Sequence, residues 1–259
     1  MQALPQELVD MIIDELANLA SLERLKDLES PDDPPTCHIT SFSLVSRIWV
    51  TRTQQHAFNF ISLYGAEELK KWCGSIEPNP AGVSRHAHYL VLSDISTLAD
   101  AEAHICAFTR VKWMHIRGCD FLLSPSVVEC FAPMSSLVEL AIGRSPTTSR
   151  VITSLLAALP QLKYFSIQDS KVTGDMDGTN LLPRIPFFEG GNSLQVFSSP
   201  DKPDPPVPLD WIPPSARFYY LGISAKFFPY EAALANRWFS NSYTTLTSLS
   251  ILGDPYCKS

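Results

Sequence analysis

Eight times along the chain, apolar residues fall at a first position, three residues later and five residues later: Phe58/Ile61/Leu63, Ala87/Leu90/Leu92, Val111/Met114/Ile116, Leu137/Leu140/Ile142, Leu162/Phe165/Ile167, Leu194/Phe197/Ser199, Ala216/Tyr219/Leu221 and Leu246/Leu249/Ile251. Only Ser199 of these positions is polar. The first positions recur at an interval that is regular without being constant. Alternation inside each stretch predicts a short strand with one buried face, and a recurring period predicts one structural unit used many times, each burying its apolar face on the next.

The interval straddles the range typical of a leucine-rich repeat. VKWMHIRGCDF (111–121) reads L-x-x-L-x-L-x-x-C-x-L, with Val, Met, Ile, Cys and Phe in the key places. Cys119 is therefore expected to be a buried turn residue after a strand, not a reactive thiol. Between the strands, 94–108, 124–131, 145–159 and 229–239 carry polar or proline starts and apolar spacing near 3.6, which predicts helices. The fold class expected is α/β, an irregular leucine-rich-repeat solenoid of about eight units over 57–259, with parallel strands on a concave face. Seven prolines in 198–214 exclude a regular helix there, so a loop replaces a repeat helix and runs over the convex side.

Residues two and four after each first position are expected to point outward, because side chains alternate along a strand. Tyr89, Trp113, His115, Tyr164, Phe218 and Tyr220 are the candidate substrate-binding residues of that concave face. Exposed aromatic rings in a row are the side chains that anchor protein interfaces.

The segment 1–56, a small domain with an insertion at 21–40, is of another kind. LPQELVDMIIDEL (4–16) is a proline-started helix that is apolar around most of its surface, and SFSLVSRIWV (41–50) carries Leu44, Val45, Ile48 and Trp49 on one helical face. Two short apolar helices bury too little to stand alone and must lean on the strand units or on a partner. L-P-x-E-L-x-x-x-I-x-x-x-L followed by S-L-V-S-R-x-W resembles the F-box in its fungal form, and irregular repeats like those downstream often follow one. The resemblance implies that the helices dock on the Skp-type adaptor of a cullin ubiquitin ligase while the repeats hold an unknown protein substrate. It assigns adaptor binding to Leu4, Pro5, Leu8, Ile12, Leu16, Leu44, Val45 and Trp49. The chain departs from the pattern at Phe42, where cysteine is usual, and in its long insertion. The alternative reading is a leucine-rich protein-binding scaffold whose N-terminal helices only cap the first strand.

Other functions find little footing. Net charge is −7, most of it carried by the segment 1–60, and no basic run exceeds Lys70-Lys71, so nucleic acid is not an expected partner. No apolar run is long enough for a membrane helix, and acids stand where a leader would be basic then apolar, so the expected compartment is cytoplasm or nucleus. Six scattered cysteines without a CxxC pair fit free thiols in a reducing compartment. No phosphate loop, nucleophile elbow or metal spacing occurs, and DMDGTNLLPRIP (175–186) lacks the glycine and glutamate of a calcium loop. The chain is expected to be no enzyme and to need neither cofactor nor metal.

Overall fold

The computed structural model describes residues 5–27, 52–53, 56, 58–74, 86–96, 105–174, 185–197, 208–209, 211–224 and 228–252. A long helix, α1 (Gln6–Asp27), comes first. Its C-terminal end belongs to the stretch read from sequence as an insertion. There follow β1 (Phe60–Tyr64), α2 (Gly65–Gly74), β2 (Tyr89–Ser93), β3 (Trp113–Arg117), a 3-10 turn (Asp120–Leu123), α3 (Val127–Phe131), β4 (Glu139–Gly143), β5 (Thr147–Thr148) and α4 (Ser149–Ala158). The order closes with β6 (Tyr164–Gln168), β7 (Val172–Thr173), α5 (Pro186–Glu189), β8 (Asn192–Phe197), β9 (Phe218–Ser224), α6 (Phe228–Ser242) and β10 (Ser248–Leu252).

The molecule is α/β. Eight strands form one sheet in the order β1-β2-β3-β4-β6-β8-β9-β10, every pair parallel, so the chain advances across it in one direction. β5 and β7 make a separate parallel pair. In the main sheet Ile61, Leu90, Met114, Leu140, Phe165, Leu194, Leu221 and Leu249 stand in one row, and Leu63, Leu92, Ile116, Ile142, Ile167, Val196, Ile223 and Ile251 in another. Of the first row, only Leu249, on the last strand, is exposed. From β1 to β9 both rows face one hydrophobic core that runs from Ile61 to Trp238.

Six of the eight strand units have the register expected from sequence. The sixth is Leu194/Val196 in place of Phe197/Ser199, because Gly191, with φ +66°, occupies its first position and leaves no apolar residue there to read. The seventh is Phe218/Leu221/Ile223, because the β8–β9 pairing steps from Asn192↔Phe218 to Ser193↔Tyr220 and Tyr219 is an extra, unpaired residue. Phe218, expected on the outward face, is therefore fully buried, while Tyr219 is exposed. With these two corrections the first row recurs more evenly along the chain than the sequence reading allowed, since the long and short intervals on either side of the sixth unit disappear.

The ends of β2, β3, β4 and β6 share one turn. Asp94, Gly118, Arg144 and Asp169 follow those strands with φ of 55°, 62°, 50° and 48°, a left-handed conformation that aspartate and glycine adopt readily. At Gly118 a Cβ would lie 2.5 Å from an Asp94 carboxylate oxygen, so a larger residue there would have to push the Asp94 side chain aside. The next residues, Ile95, Cys119, Ser145 and Ser170, are buried and bonded in series. The Ile95 N–H donates to Cys119 Sγ (3.5 Å), the Cys119 N–H to Ser145 Oγ (3.0 Å) and the Ser145 N–H to Ser170 Oγ (3.3 Å). The two hydroxyls donate onward to the Gly143 and Gln168 carbonyls. Burial pushes the Cys119 thiol up to about 11, so it is a protonated packing group at neutral pH.

Of the predicted helices, 124–131 contains α3, 145–159 contains α4 and 229–239 falls within α6, whereas most of 94–108 lies outside the described residues. In α4 the Thr148 hydroxyl accepts the Val151 N–H, and Val151, Ile152, Leu155 and Leu156 form the buried stripe at i, i+1, i+4, i+5. α2 was not anticipated. Its signal is Glu68, whose carboxylate takes the Tyr64 N–H, ahead of buried Leu69 and half-buried Trp72.

Beneath β6 to β9 the short α5 and a cluster of aromatic rings fill the core. Phe165 meets Phe187 and Trp211, Phe188 meets Trp211 and Phe218, and Phe218 meets Trp238, most of them edge to face with centroids 6.0–6.3 Å apart. The end of the proline-rich stretch supplies the central ring. Leu209, Trp211 and Ile212 are buried, and the Trp211 indole N–H donates to the Pro208 carbonyl (2.8 Å). The described part of that stretch, 208–209 and 211–214, contains no helix; residues 198–207, 210 and 175–184 lie outside the described residues.

Two outcomes are expected from urea unfolding. Ser145→Ala, which orphans the buried Cys119 N–H, lowers stability by about 1–3 kcal/mol. Trp211→Ala, which empties the middle of the ring cluster, lowers it by about 3–5 kcal/mol.

Candidate functional site

The face of the sheet opposite the core carries the row Phe60, Tyr89, Trp113, Glu139, Tyr164, Ser193, Tyr220, Ser248. Parallel strands in register hold such side chains about 4.8 Å apart, close enough to stack. They do so at the first three positions. Phe60 and Tyr89 lie 6.3 Å apart at 28°, and Tyr89 and Trp113 lie 4.2 Å apart at 5°. Glu139 ends the ribbon; burial raises its carboxyl above the ordinary value, and the neighbouring Trp113 indole offsets part of that rise.

The next row on the same face contains His115, Ala141, Ser166, Gln195 and Gly222. Burial, with Arg117 nearby, lowers the His115 pKa and favours its neutral form. His115 Nε2 lies where a Cβ on Gly143 would come within 3.2 Å, and the Tyr220 ring lies over Gly222, leaving 3.0 Å for a Cβ there. Small residues on this face thus let larger rings lie down on the sheet. Between the Glu139 and Tyr220 positions the surface sinks into a depression of about 130 Å³, lined by Glu139, Tyr164, Ser166, Ser193, Gln195 and Tyr220.

Of the six residues expected on this face, Tyr89, Trp113, His115, Tyr164 and Tyr220 stand on it and Phe218 does not. Tyr164 is the most exposed of them, at 49%. Glu139, two after Leu137, is an outward position of the sequence pattern, whereas Ser193 and Gln195 escape it because the sixth unit is read from sequence in another register.

A second surface lies on α1. Val9, Ile13 and Ala17, at i, i+4 and i+8, are buried. Leu8, Met11 and Ile12 are 46%, 66% and 42% exposed, with Leu16 half-buried and Pro5 exposed beside them. Met11 was not among the sequence candidates; Leu4, Leu44, Val45 and Trp49 lie outside the described residues. The helix is held from its polar side. Both Asp14 oxygens take bonds from Arg52, Nε to Oδ1 at 2.7 Å and Nη2 to Oδ2 at 2.6 Å, and His56 Nε2 lies 2.8 Å from Oδ1. These partners are remote from Asp14 in sequence, which is why the pattern along the chain did not reveal them.

Among the described residues, no group of three His, Cys, Asp or Glu side chains is placed to hold a metal, and no helix is long and apolar enough to cross a membrane.

Arg52 above all, with His56, holds the Asp14 carboxyl down to about 2 from 3.8. A lowered carboxylate stabilises the fold above its unfolded value and loses that contribution as pH falls from 3.8 towards 2. Over a third of the Asp14 side chain meets solvent. Asp14→Asn is therefore expected to cost under about 1 kcal/mol at pH 7, a difference from wild type that thermal unfolding should show closing as the pH approaches 2.

No protein-family model, curated protein or solved structure matches this chain.

Proposed function

We propose that the chain is the substrate-recognition subunit of a Skp–cullin–F-box type ubiquitin ligase. In this reading residues 1–56 form an F-box-like helical domain that docks on the Skp-type adaptor, and through it on a cullin. Residues 57–259 form a leucine-rich-repeat solenoid of about eight units whose open sheet face binds a protein target. Ubiquitin transfer belongs to other subunits, so the chain itself is a binding protein and not an enzyme. Its place of action is the cytoplasm or nucleus.

The observation that carries the proposal is the double character of α1. One stripe of the helix, Val9/Ile13/Ala17, is already covered, while a second apolar stripe, Leu8/Met11/Ile12, meets solvent. An exposed patch of large aliphatic side chains on a helix is what a docking surface looks like before its partner arrives. A helix that only capped the first strand has no use for the second stripe. The repeat reading is supported by eight parallel strands in sequence order, evenly spaced along the chain, four of them ending in the same left-handed turn with a buried residue after it.

The buried stripe and the Asp14–Arg52–His56 contacts favour a second reading, a leucine-rich scaffold with a helical cap. Co-purification with the Skp-type adaptor of the source organism separates the two. Wild type is expected to retain the adaptor, and Leu8→Asp/Met11→Asp to lose it, with an unchanged circular dichroism spectrum showing that the strands still fold. Wild type that retains no adaptor sinks the ligase reading and leaves the scaffold.

A further inference from the structure

The depression on the open sheet face is too small for a metabolite or cofactor, whose sites run to about 300–1,000 Å³. At about 130 Å³ it has room for one long side chain. Its floor is the apolar strand positions Leu140, Phe165 and Leu194, and around them stand acceptors and rings. Glu139 contributes the carboxylate, Tyr164 and Tyr220 the aromatic surfaces, and the Ser166, Ser193 and Gln195 side chains further oxygens. No lysine or arginine lines it.

We propose that this depression is the subsite for an arginine side chain of the protein target, its guanidinium paired with Glu139 and lying against the Tyr164 and Tyr220 rings. The inference rests on the target-binding role of the sheet face proposed above.

Charge complementarity selects the occupant. A carboxylate held half-buried on a sheet face has lost part of its hydration, and a cation brought against it recovers that loss. An ionised Glu139 carboxylate has lone pairs on both oxygens for several donors. Guanidinium suits the site better than ammonium. It carries five N–H donors in one plane, which the carboxylate, two phenol oxygens, serine hydroxyls and the Gln195 carbonyl can accept. Its weakly hydrated faces stack on tyrosine rings, whereas an ammonium group gives up a tighter shell of water to enter. The stacked ribbon Phe60–Tyr89–Trp113 borders the depression on the Glu139 side, a flat apolar surface for the residues flanking that arginine.

The test uses the full chain and three small probes: N-acetyl-arginine amide, N-acetyl-lysine amide and N-acetyl-citrulline amide, the last of nearly the same shape as arginine but uncharged. Titrations are followed by two-dimensional NMR of the backbone amides and the Trp113 indole N–H. The arginine probe is expected to shift the Trp113, Ser166 and Gln195 signals saturably. Glu139→Gln or Tyr164→Ala should weaken it by about tenfold or more, with the rest of the spectrum unchanged, since each removes a charged or stacking contact. The citrulline probe should leave these signals in place, and the lysine probe should bind more weakly than arginine. Equal responses to arginine and citrulline, or binding unaffected by Glu139→Gln, overturn the proposal; equal binding of lysine and arginine overturns the choice of guanidinium. The outcome is independent of the ligase reading, because Glu139→Gln leaves α1 untouched. Adaptor retained without arginine binding removes only this subsite, and arginine binding without adaptor removes only the ligase role.

Discussion

Successive left-handed turns have to lie against one another without leaving a buried N–H unbonded, and the rest of the molecule is arranged around that constraint. After β3 and β4 the solution is a short side chain that reaches back: the Ser145 hydroxyl takes the N–H of Cys119, and the Ser170 hydroxyl that of Ser145. A buried donor without a partner costs about as much as a lost hydrogen bond, so each turn depends on the identity of the residue in the next. With the turns locked at one spacing, β2, β3, β4 and β6 before them enter in the same register and their apolar rows meet. The same register lines up the opposite face, and the Tyr89–Trp113 stack at 4.2 Å is its direct result.

The core adapts where the pattern thins. Under β3 and β4 short helices supply aliphatic side chains, as in the Val151/Ile152/Leu155/Leu156 stripe of α4. Towards the far end the described part of the connection before β8 holds the short α5, and Phe187, Phe188, Trp211, Phe218 and Trp238 fill the core there. Large rings fill volume with few residues, at the cost of strict edge-to-face geometry, so this end tolerates truncation poorly. Pro208 and Pro213 serve the cluster through their carbonyls, which accept the two buried indole N–H groups.

The two candidate surfaces differ in how they were built, and so in how legible they were. The apolar excess of α1 is written in Leu8, Val9, Met11, Ile12, Ile13 and Leu16, and needs no long-range information to detect. Which stripe is covered is a tertiary matter: Val9, Ile13 and Ala17 are the ones buried, with Arg52 and His56 bonded to Asp14 on the polar side. On the sheet, aromatic residues two after each first position were readable because strand alternation is local. Glu139 and Gln195 became part of a site only when β4, β6, β8 and β9 were laid side by side.

The period of the strands, their inward apolar rows, the buried role of Cys119 and the helices at 124–131, 145–159 and 229–239 were determined by the sequence alone, because each rests on spacing within a short stretch of chain. Only the tertiary structure decided the register of the sixth and seventh strands. Gly191 offers no side chain to mark its position, and the run Phe218-Tyr219-Tyr220-Leu221 is apolar in either frame. Pairing with β8 makes Tyr219 the extra residue, turns Phe218 into the core and leaves Tyr220 on the open face. Strand pairing settles what a uniformly apolar stretch leaves undetermined, since register is a relation between two segments and not a property of one.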